Sequence, residues 1–299
     1  MGFDASLAAS DVVEDAIRQF LSGARENMNR LSSNVGANAT TLEFDFDIND
    51  IAEASYIEID TEVYRVWGVD RTTNSVTVQP AMIGSTSSTH TAGALAYINP
   101  RVFRHAAMRA LNDELAALSS PANGLYAVGT YEFQSEATVY DYPLPSFTII
   151  DGLRVEIKAI DSIEHWHKLL LWDVRPASDT TDFTSGYSLF IPDPMPNRTV
   201  QFVYSYEFSP LSALTDDIEN VSGLPATAQD ILPLGIILRL GSIREIKRNF
   251  TESQGDTRLA TEVPPQAVQN SFSAVRALRQ QRIDEEAARL IRQWGPGTQ

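Results

Sequence analysis

The sequence predicts an α+β protein: a helical bundle made of an N-terminal helix, a central helix and two long C-terminal helices, with a small inserted β module and an antiparallel β-sandwich. Three observations lead there. Apolar residues recur at helical spacing near both ends of the chain, two-residue alternation fills 57–62, and aromatic and β-branched runs separated by turn residues fill 126–208. The implied boundaries are 1–41, 99–120 and 226–299 for the bundle, 42–98 for the β module, 124–210 for the sandwich and 211–225 for a connector.

In chain order, Ser10-Asp11 can cap a helix that places Val13, Ile17, Phe20, Leu21 and Ala24 on one face, with Met28 and Leu31 continuing it to the polar 32–41 loop. The β module begins near Leu42. Ile57, Ile59 and Thr61 alternate with Glu58, Asp60 and Glu62, the pattern of strands with one wet face, and Asn99-Pro100 ends the module. A helix over about 101–118 presents Phe103, Ala107, Met108, Leu111, Leu115 and Leu118, and Pro121 to Gly124 break it. A sandwich of five or more strands follows, its prolines lying at edges and loops. The segment 231–249 is apolar nearly all round, which predicts a central helix, and a charged helix runs from about Gln266 to Trp294 with Phe272, Val275, Leu278, Ile283, Ala287 and Leu290 as its buried line. Helices with such faces must bury them, and the bundle is the expected solution.

Composition narrows the functions. The chain has 299 residues, 43% of them hydrophobic, and no cysteine, which removes disulfides, thiol catalysis and Cys-ligated zinc. No secretory signal is read at Met1-Gly2-Phe3-Asp4, and the match of Met1 to Ser6 to a myristoylation pattern reads as chance at a helix lead-in. The net charge of −16 is unevenly placed: residues 227–299 carry 10 Lys+Arg and 8 Asp+Glu, which leaves 13 against 31 in residues 1–226. Such a field repels nucleic acid. Only Lys158, Lys168 and Lys247 are lysines, so the cations are mostly arginines, suited to gripping carboxylates in a fork.

No enzyme signature emerges. His165-Trp166-His167, with Glu164 beside it, lacks a third ligand, because His90 and His105 belong to other modules, so a strand end is expected rather than a metal site. The pairs Asp45/Asp47 and Asp60/Glu62 read as solvated sheet faces, Ser85 and Ser188 lack a nucleophile elbow, and no phosphate-binding loop occurs. The expectation is therefore a non-enzyme with no cofactor and no metal. Arg244 to Asn249 followed by Gly255 reads as a helix end with cations set against its dipole.

Residues 57–66, the Val76-Thr77-Val78 strand, His90-Thr91-Ala92-Gly93 and Asn99-Pro100-Arg101 together resemble a β module of tailed-bacteriophage structural proteins, with Pro80-Ala81 where that module usually has Arg-Gly. Ile191 to Thr199, the Arg244 to Asp256 run and the Glu262-Val263-Pro264-Pro265 turn are similar to the second half of phage head-to-tail adaptors. The resemblance implies a virion protein of the neck, made in the host cytoplasm: a homo-oligomeric ring of about twelve copies between the portal protein and a tail or nozzle protein, through which DNA passes without specific binding. It also implies a portal-docking set at the chain's end, Arg279, Arg282, Arg289, Arg292 and Trp294, and the high charge and Gly-Pro-Gly end of the segment from about Ala287 predict that it is poorly ordered alone and orders on docking. Two other expectations stand beside it, a tail, collar or fibre-attachment component and a glycan-binding β-sandwich protein.

Overall fold

The computed structural model describes residues 6–21, 25–145, 149–158, 165–176, 178–193, 196–252 and 265–294, without the side chains of 149, 242–252 and 265–270. Ala24, Glu164, Pro194-Met195, the Arg244 to Asn249 side chains, Gly255-Asp256, Glu262 to Pro264 and Gly295-Pro296-Gly297 lie outside the described residues. Contacts divide the chain into two units, one of Met1–Leu115, Pro210–Val221 and Ala226–Arg282, the other of Ala116–Ser209, Ser222–Pro225 and Ile283–Gln299.

The expected helical bundle is not what forms. The described residues make thirteen strands in three antiparallel sheets and five α-helices, so the protein is mostly β. The reason lies in where apolar side chains are buried: two large clusters belong to sheets. Met28 and Leu31, expected to extend the first helix, instead lie in and beside a strand, because two apolar residues three apart also fit a chain that bends at a strand end.

In the first unit, β1 (Asn27–Arg30), β2 (Thr41–Glu43), β3 (Tyr56–Ile59), β4 (Glu62–Asp70), β5 (Ser75–Gln79) and β6 (Leu95–Ile98) form one sheet in the order β1-β6-β3-β4-β5-β2. Its edges meet. Ser32 N donates to Glu43 O and Asp45 N to Arg30 O, both at 3.0 Å, around a Leu31–Phe44 bridge, so the sheet curls around Leu31, Leu42, Phe44, Ile57, Ile59 and Val66. Joining the edge strands also removes the exposed ladder that invites mispairing. Asp60, at φ 54°, turns β3 into β4, and the register slips between Val66 and Gly68, which leaves Trp67 outside at 58% exposure.

Helix α1 (Ala9–Phe20) buries Ala9, Val12, Val13, Ala16 and Ile17 and packs on α4 (Ile231–Glu252). The helix α2 (Arg104–Leu118) starts six residues after β6, and the short α3 (Ile218–Ser222) precedes α4. The long α5 (Pro265–Trp294) runs through the division at Arg282.

The second unit holds seven strands: β7 (Ala127–Gln134), β8 (Asp141–Pro143), β9 (Ile149–Lys158), β10 (Trp166–Lys168), β11 (Asp173–Pro176), β12 (Tyr187–Phe190) and β13 (Thr199–Tyr206). They form a four-stranded sheet, β10-β9-β13-β7, and a three-stranded one, β11-β12-β8. Tyr142, Leu144, Leu189 and Ile191 pack with Val155, Ile157, Val200 and Phe202 in a single core. Aromatic contacts bind it: Phe133 meets Tyr142 at 4.5 Å and Phe202 stacks on Tyr204 at 5.5 Å between centroids. Gly129 is required where it stands, since a Cβ there would come 2.5 Å from the Tyr204 ring.

Candidate functional site

Of the alternating carboxylates only Asp60 stands in water, its side chain 61% exposed. Glu58 and Glu62 are both fully buried, and each has a task that the strand period does not reveal. Glu58 caps a helix from across the sheet: its carboxylate accepts from Arg104 N at 2.8 Å and His105 N at 2.7 Å, the first amides of α2, whose own lead-in supplies no capping side chain. Burial pushes the Glu58 carboxyl up to about 7, against the opposing pull of those two amides and of the Arg104 charge.

Arg104 itself is 1% exposed and forks onto two carboxylates. Its Nε and Nη2 donate to Glu14 at 2.7 and 3.0 Å, and its Nη1 and Nη2 donate to Glu26 at 3.0 and 2.5 Å. The guanidinium lies 3.4 Å from the centre of the Tyr97 ring. One side chain thus joins α1, α2 and the strands of the barrel.

His90 gives the described residues their one serine–histidine–carboxylate arrangement. Its Nδ1 is 2.7 Å from Asp60 Oδ2, and Ser88 Oγ is 3.3 Å from its Nε2. Glu62 Oε2 is nearer to that same nitrogen, at 3.0 Å, and also accepts from Ser88 N at 2.9 Å. Burial alone would push the imidazole down, but the hydrogen bonds to Asp60 and Glu62 outweigh it and hold the ring above its ordinary pKa. A ring whose two nitrogens both donate to carboxylates is a cation with no lone pair for a serine proton. The arrangement is an ion-pair node of the β3–β4 turn, and Val63 N donating to Ser85 Oγ at 3.0 Å fixes the loop beside it.

The residues expected to dock on a portal are in large part engaged within the chain. Arg279 Nε donates to Glu114 Oε1 at 2.5 Å, and the same buried carboxylate takes Arg239 at 3.2 Å. Gly235 makes room for it, since a Cβ there would collide with the Glu114 side chain. Arg282 Nε donates to Asp230 at 2.7 Å, Arg289 Nε to Glu286 at 2.6 Å, and Arg292 Nε to the Ala288 carbonyl at 3.2 Å. Trp294 lies under the Arg154 guanidinium, 5.0 Å from ring centre to Cζ.

Trp294 belongs instead to a cleft of the second unit, about 620 Å³ in volume, lined by residues of β9, the β10–β11 stretch, β13 and the end of α5. Trp172 and Trp294 are its aromatic walls, and Asp151, Arg154 and Lys168 its charged groups. Arg154 Nε is buried 3.3 Å from Glu156 Oε1 without forming a hydrogen bond. Gly152 is what admits Trp172, whose ring would lie 2.6 Å from a Cβ at that position. In its lining Leu170 is 77% and Ile291 65% exposed, and Leu171, next to Leu170 in sequence, is 73% exposed. His165 and His167, the expected strand end, stand at β10 beside it, and among the described residues no group of three His, Asp or Glu could hold a metal ion. No described helix is long and apolar enough to cross a membrane.

Comparison with protein-family models and with curated proteins finds no match for this chain. Reading the sequence missed Glu58, Glu62, Arg104 and Glu114. The available signal was α2 itself, a helix preceded by Arg101-Val102-Phe103 with no acceptor for its first amides.

Proposed function

We infer that the protein is a structural subunit of a tailed-phage virion, assembling as a homo-oligomeric ring in the neck between portal and tail. The observation that carries an assembly role is the uncovered apolar surface of the second unit, where the exposed Leu170 and Ile291 line a tryptophan-walled cleft and the exposed Leu171 follows Leu170 in sequence. Large apolar side chains grouped this way mark protein interaction sites. The charge supports the same reading. Arg104, Arg239, Arg279 and Arg282 are held by carboxylates of their own chain, in a protein with 16 more acids than bases, so DNA meets a wall that repels it. The phage assignment itself rests on the motif resemblance in residues 57–101 and 191–265.

The test is native mass spectrometry and electron microscopy of the protein with and without portal and tail proteins. Rings of many copies that co-purify with portal support the reading, and a chain that stays monomeric with portal present overturns it. A glycan-binding role is the second reading, favoured by one observation: two tryptophans and the polar Asp151 and Lys168 share a cleft. Stacking of sugar faces on those indoles would appear as tryptophan fluorescence quenching by oligosaccharides.

A further inference from the structure

We propose that the cleft of the second unit receives the Asp45-Phe46-Asp47 loop of another copy of the same chain. This rests on the ring reading and names the contact that closes it. Phe46 is 61% exposed, yet its position is rigidly set. Phe44 and Ile48 on either side are buried in the barrel core. The Asn29 amide, itself 3% exposed, clamps the loop: Nδ2 donates to Phe46 O at 3.1 Å and Asp47 O at 3.2 Å, while Oδ1 accepts from Phe46 N at 3.2 Å. Asp47 is braced in turn by the Asn49 amide N at 2.9 Å. A buried asparagine thus holds an aromatic ring in solvent, between two exposed carboxylates. Preorganised aromatic anchors of this kind lose little entropy on binding and dominate interfaces.

The cleft is the complement of that knob. Its aromatic walls and the rim of Leu170 and Ile291 suit a phenyl ring, and Arg154 and Lys168 flank it. Among the described residues the Lys168 ammonium has no carboxylate partner, while Arg154 is paired with Glu156 at 3.3 Å, its Nε making no hydrogen bond. Two copies each of charge −16 repel one another, so a self-contact must set local cations against local acids, and an acidic loop set against a lining of two cations and one acid, Asp151, does so. Knob and cleft are different surfaces, which makes the contact heterologous, and a heterologous contact propagates until rotation closes a ring.

The chain's lack of cysteine allows a direct test. Chains carrying N49C and L171C, both exposed positions, are mixed at equal concentration with a short bismaleimide; the expected product is a cross-linked heterodimer that neither chain forms alone. A second pair uses charge reversal: D45K/D47K, with an intact cleft, and R154E/K168E, with an intact loop. Each alone is expected to be monomeric by native mass, and the mixture to assemble with alternating copies at least tenfold more tightly than either chain with itself, because each loop then meets a cleft of opposite charge. Absence of the cross-link overturns the contact. If rings persist in both reversed variants, the contact is wrong and the ring reading survives; if the cross-link forms but the unaltered chain stops at two copies, the contact holds and the ring fails. Loss of portal co-purification by R154E/K168E with self-assembly retained assigns the cleft to the portal and sinks the proposal.

Discussion

The two units of this protein solve the burial problem by different means. The barrel unit encloses charge: Glu58, Glu62, His90, Arg104 and Glu114 are all buried, each set against partners from distant parts of the chain. The sandwich unit encloses aromatics, with Phe202, Tyr142 and Tyr204 in its core, and it leaves Leu170, Leu171, Ile150 and Ile291 in solvent. The difference teaches where each kind of specificity resides. Buried charges fix which segments meet within the first unit, because an unpaired one is costly, whereas aromatic packing tolerates an open cleft and leaves adhesive surface for another molecule.

The largest effect should come from removing the most connected charge. Arg104→Met keeps the volume but strands Glu14 and Glu26 beside Glu58, and we expect a loss of about 3–5 kcal/mol, the range for an uncompensated buried ion partner. Urea denaturation measures it. A loss below about 1 kcal/mol would mean that these carboxylates take up protons or water at little cost, and the contrast between the units would collapse.

Next in size is Glu114. Glu114→Ala leaves Arg239 and Arg279 without their carboxylate and should cost about 1–3 kcal/mol. Arg279→Ala should likewise lower the melting temperature of the free subunit. A variant that melts normally yet fails to co-purify with portal would return Arg279 to the docking role expected of it from sequence.

The pH dependence sharpens the comparison further. Glu58, raised from 4.5 to about 7, binds a proton in the folded state over a window in which the unfolded chain has released it, so its contribution falls as pH rises from 4.5 to about 7. His90 is raised from 6.5, so what it contributes is fully present below pH 6.5 and is lost as pH climbs through the raised value. Both act in one direction. The barrel unit should lose on the order of 1 kcal/mol between pH 5.5 and 8, read as a falling urea midpoint, and E58Q with H90N should flatten the curve. Asp70, Asp216 and Asp217 are shifted down by backbone amides, so their effect is confined to pH below about 4.

Much of the β content was legible because it depends on local pattern. The alternation of 57–62 and the aromatic runs of 126–206 mark strands by local pattern alone. What was not legible depends on contacts between distant residues. The 57–62 alternation looks identical whether Glu58 faces water or caps α2, 46 residues away in sequence, and only the partner decides. Helical periodicity at 231–240 shows that a helix is buried but not against what, and the expected bundle overestimated how far helices could satisfy one another. The pairing of Arg279 and Arg282 within the chain was equally hidden, because their counterions, Glu114 and Asp230, lie 165 and 52 residues upstream. Trp294 was singled out as an odd helix end, and the cleft wall it forms was invisible without its neighbours from β9 and β10.

The smallest expected effect is on the exposed leucines. Leu170 and Leu171 are 77% and 73% exposed, so replacing both by aspartate removes little buried area and leaves no buried group unpaired. Surface substitutions of that kind change stability by about 0.5 kcal/mol or less. The prediction is that L170D/L171D melts within a degree or two of the unaltered protein, the shift that such an energy gives in a chain of this size. Differential scanning calorimetry on the monomeric protein reads it directly. If the double variant unfolds several degrees lower, these side chains are part of the sandwich core and not free surface, and the contrast drawn between a charge-locked barrel and an open, adhesive sandwich fails at its second half. If stability is kept while large assemblies disappear, the leucines owe their exposure to a partner.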